Sequence, residues 1–218
     1  MNGSRAGEFH GWAVDLSGVP GLNYAASKCA EARFVSASSP ISAGVFDGFT
    51  WIRCEGKGSF RSSPALKRFG EARVGEGDDL LVVDLEGCTG MDSTFMGTLA
   101  GLAMKLAKAG GGVLQVTGMD ERNRRSLEDL GLDYVLQIEP EDAPWRGRVG
   151  HLRSLLVPVN GDEQGMTTEQ RAGHVLEAHR LLSAANDGNE ERFRGVIDVL
   201  EAEIDGRKRG GEAGRRAF

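Results

Sequence analysis

The fold of this chain is decided by residues 80–99, LLVVDLEGCTGMDSTFMGTL. The first six residues, Leu80 to Leu85, form a nearly continuous apolar run between turn-forming residues, which is typical of a central strand covered on both faces. Asp92 then supplies a good N-cap, and an amphipathic helix is predicted from there to the glycines at 110–112. Its apolar positions recur at helical spacing, at Phe95, Leu99, Leu102 and Leu106. A buried strand followed by an amphipathic helix indicates an α/β domain.

The same alternation of strands and helices continues on both sides of this stretch. The elements predicted from turn, cap and periodicity patterns are strands at 45–46 and 49–54 joined at Asp47-Gly48, a helix from Ser62-Ser63-Pro64 to about 75–77, a strand at 113–116, a helix capped by Asp120 and ended by Gly131, and a strand at 134–138. The order is therefore ββαβαβαβ over about residues 43–139. Helices that alternate with buried strands predict a mixed, mostly parallel sheet.

Both flanks of the domain have a different character. Residues 1–42 show neither strand nor helix periodicity, so we expect a disordered N-terminal segment. Residues 140–166 contain several prolines and glycines and are predicted to be a linker, in which a short strand or helix stays open. Residues 206–218 are expected to form a basic, disordered tail.

Residues 167–205 are predicted to form a helical hairpin. Thr167 with Gln170 makes a capping box, and two apolar stripes follow, separated by a break at 186–189. Two helices alone rarely bury enough surface to be stable, so the stripes need a further surface. Docking on the sheet domain and a homodimer through a four-helix bundle both provide one. The glycine- and proline-containing linker slightly favours the homodimer.

Composition excludes several classes of function. The net charge of −6 provides no overall positive field for nucleic acid or an anionic membrane. Three cysteines, Cys29, Cys54 and Cys88, are far apart and lack a CxxC pair, which argues against a disulfide framework and a thiolate metal site. No targeting segment or membrane span is apparent, so we expect a cytoplasmic protein.

The remaining polar patterns do not indicate catalysis, a cofactor or a metal. His174 and His179 are about 140° apart around a helix, so they do not share a metal-binding face and are predicted to be core or surface histidines. The glycines at 110–112 follow a helix, the reverse of the order in a phosphate-binding loop. Asp84 and Glu86 lack a partner base or nucleophile. We therefore expect no enzyme here, with no cofactor and no metal.

The segment after the central strand resembles the STAS family of anti-sigma factor antagonists. In that family a strand ending in Asp-Leu precedes an Asp-Ser-Ser/Thr-Gly-Leu-Gly motif and an apolar helix. The resemblance covers about residues 43–139, and it assigns the motif's aspartate to Asp92, the phosphorylated serine to Ser93, the neighbouring hydroxyl to Thr94 and the second glycine to Gly97. This sequence departs from the motif at Phe95 and Met96, which replace a glycine and a leucine. We expect Phe95 either to crowd a kinase or to form a different partner surface.

The resemblance implies a phosphorylation-switched binding module that regulates transcription. The unphosphorylated form would bind an anti-sigma factor that is also a serine kinase, and a PP2C-type phosphatase would reset Ser93. The implied contact surface consists of Thr89, Met91, Asp92, Thr94, Phe95, Met96 and Gly97. The position suits a switch physically, because the start of a helix favours an anion and a phosphate beside Asp92 would repel an acidic partner surface.

Two alternatives stay open. One is a STAS subunit of a transport system, including the ABC lipid-transport type, that uses the same surface to bind a regulatory partner without phosphorylation. The other is an assembly scaffold whose main function is carried by the C-terminal hairpin, residues 167–205.

Overall fold

The computed structural model describes residues 40–159 and 166–215, with the side chains of the last helix described as far as Arg207. The prediction of a disordered N-terminal segment lies, up to residue 39, outside the described residues. The strands are β1 (Ile41–Phe46), β2 (Phe49–Cys54), β3 (Gly56–Gly58), β4 (Leu80–Asp84), β5 (Cys88–Met91), β6 (Val113–Thr117), β7 (Gln137–Ile138) and β8 (Val157–Pro158). The helices are α1 (Ser63–Gly75), α2 (Ser93–Gly110), α3 (Glu121–Glu128), α4 (Val149–Ser154), α5 (Thr168–Ala185) and α6 (Asp187–Arg215).

A six-stranded mixed sheet forms the centre, in the order β7-β6-β4-β2-β1-β8. Strands β2, β4, β6 and β7 are parallel neighbours, whereas β1 runs antiparallel to β2 and β8 antiparallel to β1. The hairpin between β1 and β2 turns at Gly48, whose φ of 83° is one that glycine adopts without strain. The predicted mixed, mostly parallel α/β fold is confirmed.

A second, two-stranded parallel ribbon joins β3 to β5, which the sequence pattern did not predict. Both strands are short and rich in glycine, so neither has the apolar alternation by which a strand is recognised. The ribbon positions the functional region, because β5 ends one residue before Asp92 and the backbone N–H of Asp92 donates to the carbonyl of Gly58 at 2.9 Å.

The two faces of the sheet are covered by different parts of the chain. On one face, Ile52, Leu81 and Val83 belong to a large core with Leu66 of α1 and Leu99 of α2. The opposite face packs against residues that follow β7, and this second core comprises Phe49, Trp51, Val82, Ala143, Trp145 and Leu152.

The second core corrects the prediction of a linker at 140–166. Trp145 is buried, and its indole N–H donates to the side-chain oxygen of Gln115 at 2.7 Å. Helix α4 and strand β8 lie within the same segment. Residues 140–159 are thus part of the domain, because the apolar face of β2 and β4 opposite α1 and α2 requires a cover.

Three boundaries also differ from those predicted. Strand β1 begins at Ile41, inside the segment expected to be disordered. The last predicted strand is limited to Gln137–Ile138, because residues 132–134 form a 3₁₀ turn instead. Helix α6 continues to Arg215, which corrects the prediction of a disordered tail from residue 206. Four glycines at 206, 210, 211 and 214 lower the helix propensity there and led to the prediction of a tail, and the apolar stripe marks only the packed part.

The C-terminal hairpin docks on the sheet domain through α5, which lies across α2. Leu182 of α5 and Phe193 of α6 are buried in the large core. Asn189 donates to the carbonyl oxygens of Leu130 and Leu182, at 2.9 and 3.0 Å. Docking within the chain, the alternative that the sequence favoured slightly less than a homodimer, is therefore the arrangement in this structure.

Candidate functional site

The site is built around the start of α2, where Asp92 is the N-cap. Its carboxylate accepts two backbone hydrogen bonds, from the N–H of Phe95 at 2.9 Å and from the N–H of Phe60 at 2.9 Å. The first caps the helix as predicted. The second ties the loop between β3 and α1 to the helix start. Asp92 therefore fixes the geometry around Ser93.

Ser93 is the first residue of α2, and its hydroxyl pairs with a histidine from the hairpin. The Oγ atom lies 2.9 Å from Nε2 of His179, while Nδ1 of the same ring lies 2.8 Å from the carbonyl oxygen of Val175. A carbonyl oxygen can only accept, so Nδ1 carries a proton. In the neutral imidazole Nε2 is then the acceptor, and the Ser93 hydroxyl donates to it. His179 is 6% exposed and also stacks edge to face on Phe193, at 5.4 Å between ring centroids.

Helix α5 approaches α2 closely beside this pair. A Cβ atom added to Gly97 would collide with the backbone carbonyl of Ala178 and lie 2.9 Å from its Cβ. One turn further, a Cβ atom on Gly101 would lie 2.7 Å from Leu181. Ser93, Gly97 and Gly101 are spaced four residues apart and lie on one face of α2. Their small side chains allow the two backbones to meet.

A second serine–histidine pair joins α5 to α1. The hydroxyl of Ser63, the first residue of α1, lies 2.8 Å from Nε2 of His174. Lys67 of the same helix pairs with Glu177 of α5 at 2.5 Å. Burial, followed by the nearby Lys67 charge, lowers the pKa of His174, while Glu177, Asp92 and Glu71 oppose that shift. The neutral form of His174 is thus favoured in the docked hairpin.

The residues predicted to form the partner surface divide into two groups. Thr89 is exposed, and Met91 and Asp92 are half-buried beside Ser93. The other four, Thr94, Phe95, Met96 and Gly97, are buried.

Phe95 does not form a partner surface in this structure. It is fully buried, and Gly58 lies so close that an added Cβ there would be 2.9 Å from the ring. The glycine of β3 therefore makes room for the phenylalanine. Ser93 and Phe95 lie about 200° apart around α2, so the ring and the Ser93 hydroxyl are on different faces of the helix.

Two features of the candidate site were not predicted from the sequence. His179 and His174 were predicted to be core or surface histidines, and they are indeed buried, but their pairing with the first residues of α2 and α1 was not foreseen. Phe60 is 45% exposed next to the Asp92 anchor. The only sequence signal for Phe60 was that it is an isolated aromatic residue in a turn.

Two buried thiols pair with each other in the strands next to the site. Cys54 ends β2, Cys88 begins β5, and both are buried. A hydrogen bond with Cys88 and burial raise the pKa of Cys54, so its thiol stays protonated. Both cysteines serve as small packing residues, as predicted.

A negatively charged network lies at the carboxyl end of β4. Asp84 is fully buried and pairs with Arg53 at 2.9 Å and with Arg153 at 2.7 Å. Arg153 and Arg53 both pair with Glu86 as well. Their contacts lower the pKa of Glu86, and the hydrogen bond from Arg153 is the larger cause. Two arginines thus provide the ion pairs that a buried carboxylate requires. None of the helices in the described part of the chain is both long and apolar enough to span a bilayer.

A comparison with protein families identifies the kind of domain that contains this site. A family model described as "Mlab, STAS domain" matches residues 50–137, from β2 to the start of β7. The chain carries a STAS domain. The match includes the whole of α2 with Ser93, whereas the hairpin of α5 and α6 lies outside it. A search of curated proteins found no match.

Several solved structures resemble the STAS domain. A proposed anti-sigma factor antagonist from Thermotoga maritima is 14% identical with a TM-score of 0.44, over 52% of this chain and 94% of that one. An anti-sigma factor antagonist from Mycobacterium paratuberculosis is 24% identical with a TM-score of 0.42, over 55% and 99%. The anti-sigma factor antagonist SpoIIAA in its unphosphorylated form is 14% identical with a TM-score of 0.41, over 53% and 99%.

Proposed function

We propose that this protein is an anti-sigma factor antagonist: a cytoplasmic, non-catalytic binding module that Ser93 phosphorylation switches off. In its unphosphorylated form it would bind an anti-sigma factor with serine kinase activity and so release a sigma factor for transcription. A PP2C-type phosphatase would restore the binding form. The STAS family match supports the class of protein, and the partner and its regulation are our proposal.

The observation that carries the proposal is the position of Ser93. Its hydroxyl lies in the first turn of an 18-residue helix, at the end where unpaired N–H groups and the helix dipole favour an anion. Asp92 directly precedes it and already accepts two backbone hydrogen bonds. Phosphorylation would add a charge of about −1.5 to −2 at this point without removing the cap. The domain would therefore keep its fold while the surface around Ser93 changes its charge.

The surface that a partner can reach next to Ser93 includes an apolar anchor. Thr89 and Phe60 are exposed, and the backbone N–H of Phe60 donates to the Asp92 carboxylate. The guanidinium of Arg61 lies 5.7 Å from the Phe60 ring centroid. Large aromatic side chains supply much of the binding energy in protein interfaces. We propose Phe60 as a contact residue in addition to those implied by the family motif.

A second candidate is a STAS subunit of a transport system that binds its partner through the same surface. The matching family model is described as a STAS domain without reference to sigma-factor regulation, so the family match supports this alternative as well. It predicts that the partner binds equally well whatever the charge at Ser93.

Affinity measurements with single substitutions distinguish the two candidates. We expect Ser93→Ala to bind the captured partner within severalfold of the wild type and Ser93→Asp to bind at least about tenfold more weakly, a difference of 1.4 kcal/mol. Isothermal calorimetry on the purified partner provides the measurement. Equal affinities of the wild type and Ser93→Asp would reject the switch and favour the transport subunit.

A further inference from the structure

Helix α5 lies over the face of α2 that carries Ser93. We infer that the α5–α6 hairpin is an autoinhibitory element, which occupies the switch surface when docked and must move away before a kinase or binding partner can engage Ser93. The inference rests on the proposed role of Ser93 and adds the hairpin as a regulator of that same site. It concerns the hairpin outside the region matched to the STAS family.

The first step of the argument is steric. One turn after Ser93, α5 contacts α2 backbone to backbone, at Gly97 and Ala178. His179 follows Ala178 directly and fills the space next to the Ser93 hydroxyl. A macromolecule that approaches Ser93 along α2 therefore meets α5 at the position that it would have to occupy.

The second step is chemical. Phosphoryl transfer from a nucleoside triphosphate forms a bond between Ser93 Oγ and phosphorus, breaks the phosphoanhydride bond to the departing nucleoside diphosphate, and releases the hydroxyl proton to solvent. The resulting ester oxygen has no hydrogen, so it can no longer donate to Nε2 of His179. The phosphoryl group also needs space around Oγ, where the His179 ring now lies at 2.9 Å.

These two steps indicate that hairpin docking and Ser93 phosphorylation oppose each other in the arrangement seen here. Because coupling between two equilibria is reciprocal, whatever detaches the hairpin favours access to Ser93, and phosphate on Ser93 favours the detached hairpin. The free energy of hairpin docking therefore opposes phosphorylation of Ser93.

The experiment measures access to position 93 in the full-length chain without using phosphate. Ser93→Cys is introduced together with Cys29→Ser, and the probe is a polyethylene-glycol maleimide, which is bulky like a macromolecule. Ala178→Glu places a charge in the α5–α2 contact, and Ala184→Glu places the same charge at an exposed position of the same helix. The chain that retains Ser93 gives the background from Cys54 and Cys88, which are buried.

We expect Ala178→Glu to accelerate labelling of position 93 by about tenfold or more, because labelling follows the population of the open form. Ala184→Glu should leave the rate unchanged. His179→Ala, a milder change, should accelerate labelling in the same direction by a smaller factor. Equal labelling rates in the parent, Ala178→Glu and His179→Ala chains would overturn the inference.

Hydrogen exchange gives a second measurement in chains that retain Ser93. Ala178→Glu should speed amide exchange in α5 while the central strand β4 stays protected, which shows that the STAS domain remains folded. Unchanged α5 exchange would overturn the inference. Neither measurement involves a kinase, so an Ala178→Glu chain that is open but takes up no phosphate from the kinase would reject the proposed function alone. A parent chain that is labelled as fast as Ala178→Glu and is phosphorylated on Ser93 would reject the inference alone.

Discussion

Replacing Gly97 with alanine tests the docking of α5 on α2 through the sign of its effect. In an unobstructed helix, glycine to alanine is stabilising by about 1 kcal/mol. At Gly97 the new methyl group would overlap the Ala178 carbonyl, a backbone atom that cannot rotate away. Overpacking of this kind costs about 1–3 kcal/mol. We therefore expect Gly97→Ala to weaken hairpin docking by at least about 1 kcal/mol, because α2 stays helical when the hairpin opens and its gain in helix propensity does not offset the clash.

Gly195→Ala is the matched control. Gly195 lies within α6, and an added Cβ there meets no atom within 4 Å. This substitution should stabilise the hairpin by up to about 1 kcal/mol, so the two variants should differ by about 2 kcal/mol. Amide exchange of α5 reports the free energy of hairpin opening, and urea unfolding followed by circular dichroism reports the whole chain. If Gly97→Ala slows α5 exchange as much as Gly195→Ala does, the close helix contact and the reasoning built on it are refuted.

Three further predictions follow from the site and its surroundings. Phe60→Ala should weaken partner binding by about 1–2 kcal/mol in calorimetry while it leaves the free energy of unfolding within about 0.5 kcal/mol, since the ring is half-exposed; a loss of stability without loss of binding would make Phe60 structural. Burial lowers the pKa of His174, so the unfolded chain binds this proton more readily, and the free energy of unfolding should fall as the pH drops below about 6.5 and on through the folded pKa. In urea unfolding, His174→Gln should remove this pH dependence, and an unchanged dependence would show that another group is responsible. Arg153→Met should cost about 1–3 kcal/mol, because buried Asp84 keeps Arg53 but loses two of its hydrogen bonds; a chemical denaturation midpoint equal to that of wild type would show that Arg53 alone neutralises the carboxylate.

The fold was predictable where local patterns and long-range packing agree. The apolar run of β4, the Asp92 cap and the periodicity of α2 are each encoded within a few residues, and all three are present in the structure. The capping box of Thr167 and Gln170 was predictable for the same reason. Parallel strands covered by helices follow from this alternation.

The elements missed from the sequence depend on contacts between distant segments. The β3–β5 ribbon pairs two glycine-containing strands that have no periodicity of their own. Trp145 was assigned to a linker because prolines and glycines surround it, yet it covers the face of the sheet next to Trp51, at 5.3 Å between ring centroids. No local sequence pattern indicates which segment of the chain covers this face of the sheet.

The site was predictable in its centre and not in its surroundings. Ser93 and its Asp92 cap follow from the motif and lie where the sequence placed them, in the first turn of α2. The pairing of Ser93 with His179 joins residues 86 positions apart and depends on how the hairpin docks. The spacing of the two histidines predicts that they lie on different faces of α5, but spacing cannot identify a partner on another helix.

Phosphopeptide mapping tests the central claim most directly. The full-length protein and its Ala178→Glu variant, in which the hairpin is displaced, are incubated with the purified kinase partner and a nucleoside triphosphate, and the modified residues are identified by mass spectrometry. The account predicts phosphate on Ser93, none on the neighbouring Thr94, which is buried, and none anywhere in α2 of Ser93→Ala. Phosphate on Thr94 with Ser93 unmodified, or an unmodified α2 in the Ala178→Glu variant in the presence of an active, bound kinase, would contradict it.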